Sequence, residues 1–192
     1  MAETTEDTAQ PQEPDEAKPA RRRTPKRKLV EEHARSSFDA LSRRDARGIG
    51  DHYREDCVVD IVPIGVFRGR QAIIDFFIEV FAAVPDLETT VTRVVASETL
   101  AAVEWRMQGN FTGASFQGID PTGKHVELRG LDLMEIEDGA TVSNAAYYDG
   151  AEFARQVGML PPEGSGAERT MKTAFNAITK VRKAVAERAG GQ

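Results

Sequence analysis

The chain has 192 residues and a formal net charge of −6, which suits one domain with tails and a sizeable core. No run of about 18 apolar residues offers a membrane span, and the acidic N-terminus lacks the apolar segment of a secretory leader. One cysteine, Cys57, excludes an internal disulfide and a cysteine-based metal cluster. The scattered His33, His52 and His125 speak against a structural metal. Together these features point to a cytoplasmic protein.

The charge is unevenly spread. Residues 1–28 carry about +1, residues 162–192 about +3, and the stretch between them about −10. An acidic body argues against nucleic acid as the ligand of the folded domain.

In chain order, residues 1–23 are rich in Glu, Thr, Pro, Gln and Ala without apolar periodicity, and read as a disordered tail. The tail runs into the basic stretch Arg21 to Lys28. That stretch reads first as solubilising, with contact to nucleic acid or an anionic membrane as the lesser reading. The domain spans 24–161. Thr24-Pro25 offers an N-cap and a proline at the first helical position, and Val30, Ala34, Phe38 and Leu41 mark one helical face. Asp45 is placed to cap a short second helix ending near Tyr53. Cys57 to Val62 is β-rich. Val66 to Gly69 leads into a helix over about 70–83 that is apolar nearly all round and is expected to be buried on most sides.

Strands follow over 89–97 and 100–111, the second with Val103, Trp105 and Met107 on one face and Glu104, Arg106 and Gln108 on the other. Residues 126–149 then form a hairpin. Asp138-Gly139 is a type I′ signal, since both central positions need φ > 0. A regular ladder from that turn pairs Ile136 with Thr141, Met134 with Ser143, Asp132 with Ala145 and Leu128 with Asp149. Asp132, Tyr147 and Asp149 then project with the apolar row. A carboxylate on a core-facing row is costly unless it is paired or lines a wet cavity, so this row points to a pocket. The two aspartates lie about 13 Å apart along the strand, too far for one dyad.

A turn or two of helix follows Gly150, with Gly158 as its stop. Residues 162–166 are a linker by composition. Residues 167–188 form a basic amphipathic helix with Met171, Phe175, Ile178, Val181 and Val185 in a stripe. It suits a membrane, a partner, or its own acidic body. Helices preceding a run of strands imply an α+β domain, with a curved antiparallel sheet curling into a cone around helices on its concave face.

This order resembles the NTF2-like superfamily, and within it the SnoaL-like polyketide and ester cyclases. The resemblance rests on His52-Tyr53-Arg54-Glu55-Asp56-Cys57 entering the first strand and on Phe67-Arg68-Gly69-Arg70 entering helix three. It rests also on Val84-Pro85-Asp86-Leu87 and on Gly109-Asn110-Phe111-Thr112-Gly113 with Pro121-Thr122-Gly123. The ending Tyr147-Tyr148-Asp149 through Gln156-Val157-Gly158-Met159-Leu160-Pro161 completes it. It covers roughly 29–161.

The resemblance implies a cavity for a hydrophobic small molecule, a homodimer, no metal or cofactor, and an aspartate acting as general acid/base in an aldol ring closure. That role falls on Asp149. His52, Tyr53, Asp60, Trp105, Met107, Asp132 and Tyr147 are the candidate substrate-binding residues. The Arg-x-Asp of epoxide-hydrolase-like members is absent from Glu104-Trp105-Arg106-Met107-Gln108. The aspartate of isomerase-like members would fall on Ile61, one residue from Asp60, and their oxyanion tyrosine on Ser37. Two readings stay open. In one the chain is a cofactor-free cyclase or lyase. In the other it is a non-catalytic binding or assembly module, in which Asp149 only caps the following helix.

Overall fold

The computed structural model describes residues 25–189. The tail assigned to residues 1–23 and the cap assigned to Thr24 lie outside them. Helix α1 (Lys26–Ser42) buries Val30, Ala34, Phe38 and Leu41 along one face. Its N-cap position is Pro25, rather than Pro25 opening the first turn. Helix α2 (Ala46–Gly50) is held at its start by Asp45, whose carboxylate accepts from the Gly48 N–H at 2.9 Å.

Strand β1 (Tyr53–Val62) begins four residues earlier than expected, and Gly65–Arg68 forms a short β2 rather than a lead-in. Helix α3 (Arg70–Ala83) is less buried than its composition implies. Ile73, Phe76 and Ala83 are covered, while Ile78 is 53% exposed. Part of its apolar face borders a cavity instead of solid core.

Strands β3 (Glu88–Ala96), β4 (Leu100–Asn110), β5 (His125–Glu137) and β6 (Ala140–Tyr148) complete a six-stranded, curved and unclosed sheet in the order β2-β1-β6-β5-β4-β3. The sheet is not wholly antiparallel: β1 runs parallel to β6. The architecture is α+β, with α1 against β3 and β4 and α3 against β1 and β2. Helix α4 (Gly150–Val157) closes one end against β5, and Gly158 ends it in the left-handed conformation at φ 89°.

Helix α5 (Gly166–Ala189) follows the 158–165 segment. Ser165 Oγ accepts from the Glu168 N–H, and the Glu168 carboxylate accepts from the Gly164 N–H, so its first turn is capped locally. Its stripe of Met171, Phe175, Ile178, Val181 and Val185 is exposed. No helix among the described residues is long and apolar enough to cross a membrane.

The hairpin holds the fold's decisive irregularity. Asp138 (φ 47°) and Gly139 (φ 79°) make the expected turn. Ile136 pairs with Thr141, but Glu135 pairs with Ser143, so Val142 is an extra residue on β6. The bulge is secured from outside the pair. The Ile136 N–H donates to Thr99 O at 2.7 Å, and the Thr141 N–H donates to His52 O at 2.8 Å. From there the register slips by one. Asp132 faces Ala146, Met134 faces Asn144 and Gly130 faces Tyr148. A slip of one residue turns each side chain to the opposite face of the sheet.

Candidate active site

Between the concave sheet, α1, α3 and α4 lies a cavity of about 140 Å³ open to water-sized molecules. Its walls are almost wholly apolar. Phe38 and Leu41 come from α1, and Ile73, Phe76, Phe77 and Val80 from α3. Val59 and Ile61 come from β1, Met107 from β4 and Leu128 from β5. Phe116 of the 111–124 loop and Phe153 of α4 stand at one side. Five polar side chains interrupt this lining: Tyr53, Trp105, Asp132, Asn144 and Tyr148.

Four of the five form one network around Asp132, which is 8% exposed. Trp105 Nε1–H donates to Asp132 Oδ1 at 2.7 Å. Asn144 Nδ2–H donates to Asp132 Oδ2 at 2.6 Å and to the Tyr53 hydroxyl at 3.2 Å. Each carboxylate oxygen thus has one N–H partner and keeps lone-pair capacity for a proton. Among the described residues Asn144 Oδ1 has no partner although it is buried, a deficit worth about 1–3 kcal/mol.

The local fold explains how these groups meet. Trp105 lies directly opposite Gly130 on β5. A Cβ at Gly130 would sit inside the indole ring. The absence of that carbon lets the ring lie flat across β5 and bring its N–H to Asp132, two residues along on the same face. The β6 bulge then turns Asn144 inward. Tyr53 enters at the start of β1, paired with Thr141 beside that bulge.

Burial sets the electrostatics. Loss of hydration pushes the Asp132 carboxyl up to about 6, against the opposing pull of the Asn144 and Trp105 hydrogen bonds. Burial, followed by the nearby Asp132 charge, pushes the Tyr53 hydroxyl well above its usual range, so it remains a proton donor. Burial also raises Tyr148.

Of the residues expected at the site, Tyr53, Trp105, Met107 and Asp132 line the cavity. The other four do not. Asp149 is exposed, and its carboxylate accepts from the Glu152 N–H at 2.9 Å as the N-cap of α4. Tyr147 is 50% exposed, on the opposite face from Tyr148. Both expectations of an inward projection are corrected by the β6 bulge. Asp60 alternates with the buried Val59 and Ile61, which places it on the outer face.

His52 is tied up outside the cavity, its Nδ1 donating to Gly48 O at 2.8 Å and its Nε2 within 2.9 Å of Ser36 Oγ. Arg106 pairs with Glu127 at 3.2 Å on the outer face, away from Asp132. Asn144, Tyr148 and Gly130 escaped the reading of the sequence. An amide in mid-strand among small residues is disfavoured by β propensity, and that is the signal Asn144 offered. Among the described residues no group of three or more His, Cys, Asp and Glu could hold a metal ion.

The family model described as SnoaL-like polyketide cyclase matches residues 31–157. The chain belongs to this family. Solved structures of the same fold include a candidate SnoaL-like polyketide cyclase from Jannaschia sp. CCS1, 19% identical, with a TM-score of 0.65. That match covers 74% of this chain and 100% of that one. AclR, a candidate hydroxylase from Streptomyces galilaeus, is 20% identical over 86% of this chain and 99% of its own, with a TM-score of 0.63. IdmH, a candidate polyketide cyclase from Streptomyces antibioticus, is 22% identical over 66% and 96%, with a TM-score of 0.57. No curated protein matches the sequence. In this SnoaL-like chain the cavity, rather than the strand end at Asp149, gathers the buried polar groups.

Proposed function

We propose that the chain is a cofactor-independent cyclase, or a related lyase, acting on a hydrophobic carbonyl compound held in the cavity, with Asp132 as general acid and base. The observation that carries this reading is a buried carboxylate at the wall of an apolar cavity, oriented by two N–H donors and raised to about 6. A group with that affinity is mostly ionised at neutral pH yet returns a proton readily, which is what general acid–base catalysis asks of it. In an aldol closure Asp132 takes the proton from the carbon beside a carbonyl. The resulting carbanion forms the new C–C bond at a second carbonyl of the same molecule. The alkoxide left there takes the proton back from Asp132. Atoms balance with no co-reactant. Tyr53 and Tyr148, which both line the cavity, would donate hydrogen bonds to the oxygens on which charge develops. The chain is proposed to act as a homodimer through the outer face of its sheet.

The test is Asp132→Asn, which preserves shape and removes the base. A fall in turnover of a diketone substrate by about 10²-fold or more is expected. Turnover equal to that of the parent protein would sink the acid/base role and leave a binding module.

A further inference from the structure

We propose that the ligand of this cavity is a neutral molecule about one ring in size that carries a hydroxyl, an enol or a phenol, and not a polycyclic or anionic compound. The inference rests on the acid/base reading only for the site, not for the chemistry performed there.

Size comes first. The space measures about 140 Å³, and an apolar cavity of about 150 Å³ accommodates a single benzene ring. Three fused rings would require the aromatic walls to part. Phe76 packs against Phe67, Phe77 and Phe116 with ring centres 4.9, 5.2 and 6.0 Å apart, so one ring cannot withdraw without moving its neighbours.

Charge comes second. Among the described residues no Lys, Arg or His lines the cavity, and the one charged group there is Asp132. A carboxylate or phosphate ligand would be stripped of water beside a like charge with no cation to receive it.

The hydroxyl comes third. The Tyr53 and Tyr148 hydroxyls at the cavity wall each have a proton to give, while the Asp132 carboxylate keeps lone-pair capacity to accept one. A ligand O–H both donates and accepts, so it can serve either kind of group.

Trp105 is the chain's only tryptophan and donates to Asp132. The indole N–H resonance of the nitrogen-labelled full chain therefore reports this part of the cavity directly. Four probes separate the claims: p-cresol, toluene, p-toluate and a hydroxyanthraquinone. We expect p-cresol to shift the resonance with an affinity at least about tenfold above each of the others. Equal or tighter binding by any of the three overturns the assignment, as does the absence of any shift with p-cresol.

Turnover in Asp132→Asn keeps the two readings apart. If that variant loses turnover while the hydroxyanthraquinone binds best, the ligand assignment fails and the acid/base reading stands. If p-cresol binds best while Asp132→Asn turns over normally, the ligand assignment stands alone.

Discussion

Trp105 Nε1 and Asp132 Oδ1 lie 2.7 Å apart inside the cavity wall. The ionisation of the one is thereby written into the environment of the other. Indole fluorescence or the indole N–H shift should titrate with a midpoint near pH 6, the value to which burial lifts Asp132. The same shift makes a prediction about stability. The unfolded chain releases this proton near 3.8 and the folded chain holds it until about 6. Between those values the folded state binds more protons, so stability falls as pH rises through the window. The full penalty, about 3 kcal/mol, is reached above it. Asp132→Asn sets an amide N–H where a carboxylate oxygen accepts one, so it should fall below the parent by about 1–3 kcal/mol near pH 4, yet lose the decline in stability between pH 4 and pH 8 and lose the indole titration. Chemical denaturation of both proteins across that range checks the slope, and parallel curves would show that Asp132 is not the group responsible.

Gly130 should be as sensitive as any residue that touches ligand. Gly130→Ala places a methyl carbon where the Trp105 ring lies. The ring must tilt off the sheet, and its bond to Asp132 breaks. A cost of about 1–3 kcal/mol is expected for such overpacking, together with a displaced indole N–H resonance and weaker ligand binding. A variant with parental stability and an unmoved resonance would contradict this packing of Trp105 on Gly130.

How much of this could be read beforehand varied along the chain for physical reasons. In β4 the contrast between Val103, Trp105 and Met107 on one side and Glu104, Arg106 and Gln108 on the other left one parity open to a half-buried strand. Asp138-Gly139 named its own turn. In β6 the run Ser143-Asn144-Ala145-Ala146-Tyr147-Tyr148 fits either parity equally well, because its small residues and paired tyrosines show no contrast.

What decides the parity of β6 is the bulge at Val142, held by backbone bonds to His52 and Thr99. Those partners are distant in sequence, so alternation within the strand carries no trace of them. The error of one residue put Asp149 and Tyr147 in the pocket and left Asn144 and Tyr148 out. The parallel pairing of β1 with β6 is likewise a property of the whole chain. The fold class survived these local errors because it rests on element order, whereas the site rests on single-residue register.

Asp149 supplies a clean contrast to Asp132. Its carboxylate satisfies the Glu152 N–H at the first turn of α4. Asp149→Ala should cost about 0.5–2 kcal/mol of stability through the lost cap, while Asp149→Ser restores most of it. Cavity binding and turnover, measured well below the unfolding transition, should be unchanged in both. A loss of turnover in Asp149→Ser without loss of stability would return the catalytic role to the strand end.

The outer face of the sheet bears on assembly. Leu131 and Leu133 are 43% and 39% exposed, and Leu131 faces Tyr147, 50% exposed, across the ladder. Ala145 and Ala102 flank Leu133 on either side. This leaves a continuous apolar strip across three strands, bordered by the Arg106–Glu127 and Arg93–Glu104 pairs. An apolar centre with a charged border is the anatomy of a protein interface. A second copy related by a two-fold axis would bring the same strip against itself, which suits a surface with no opposing charge pattern to match. Leu131→Lys combined with Leu133→Glu places charges in the middle of the strip and leaves the cavity face untouched. Sedimentation should report a dimer for the parent and a monomer for the variant at the same concentration, with far-ultraviolet circular dichroism unchanged. Equal sedimentation of the two would remove this face from the interface. A monomeric parent would remove the dimer altogether.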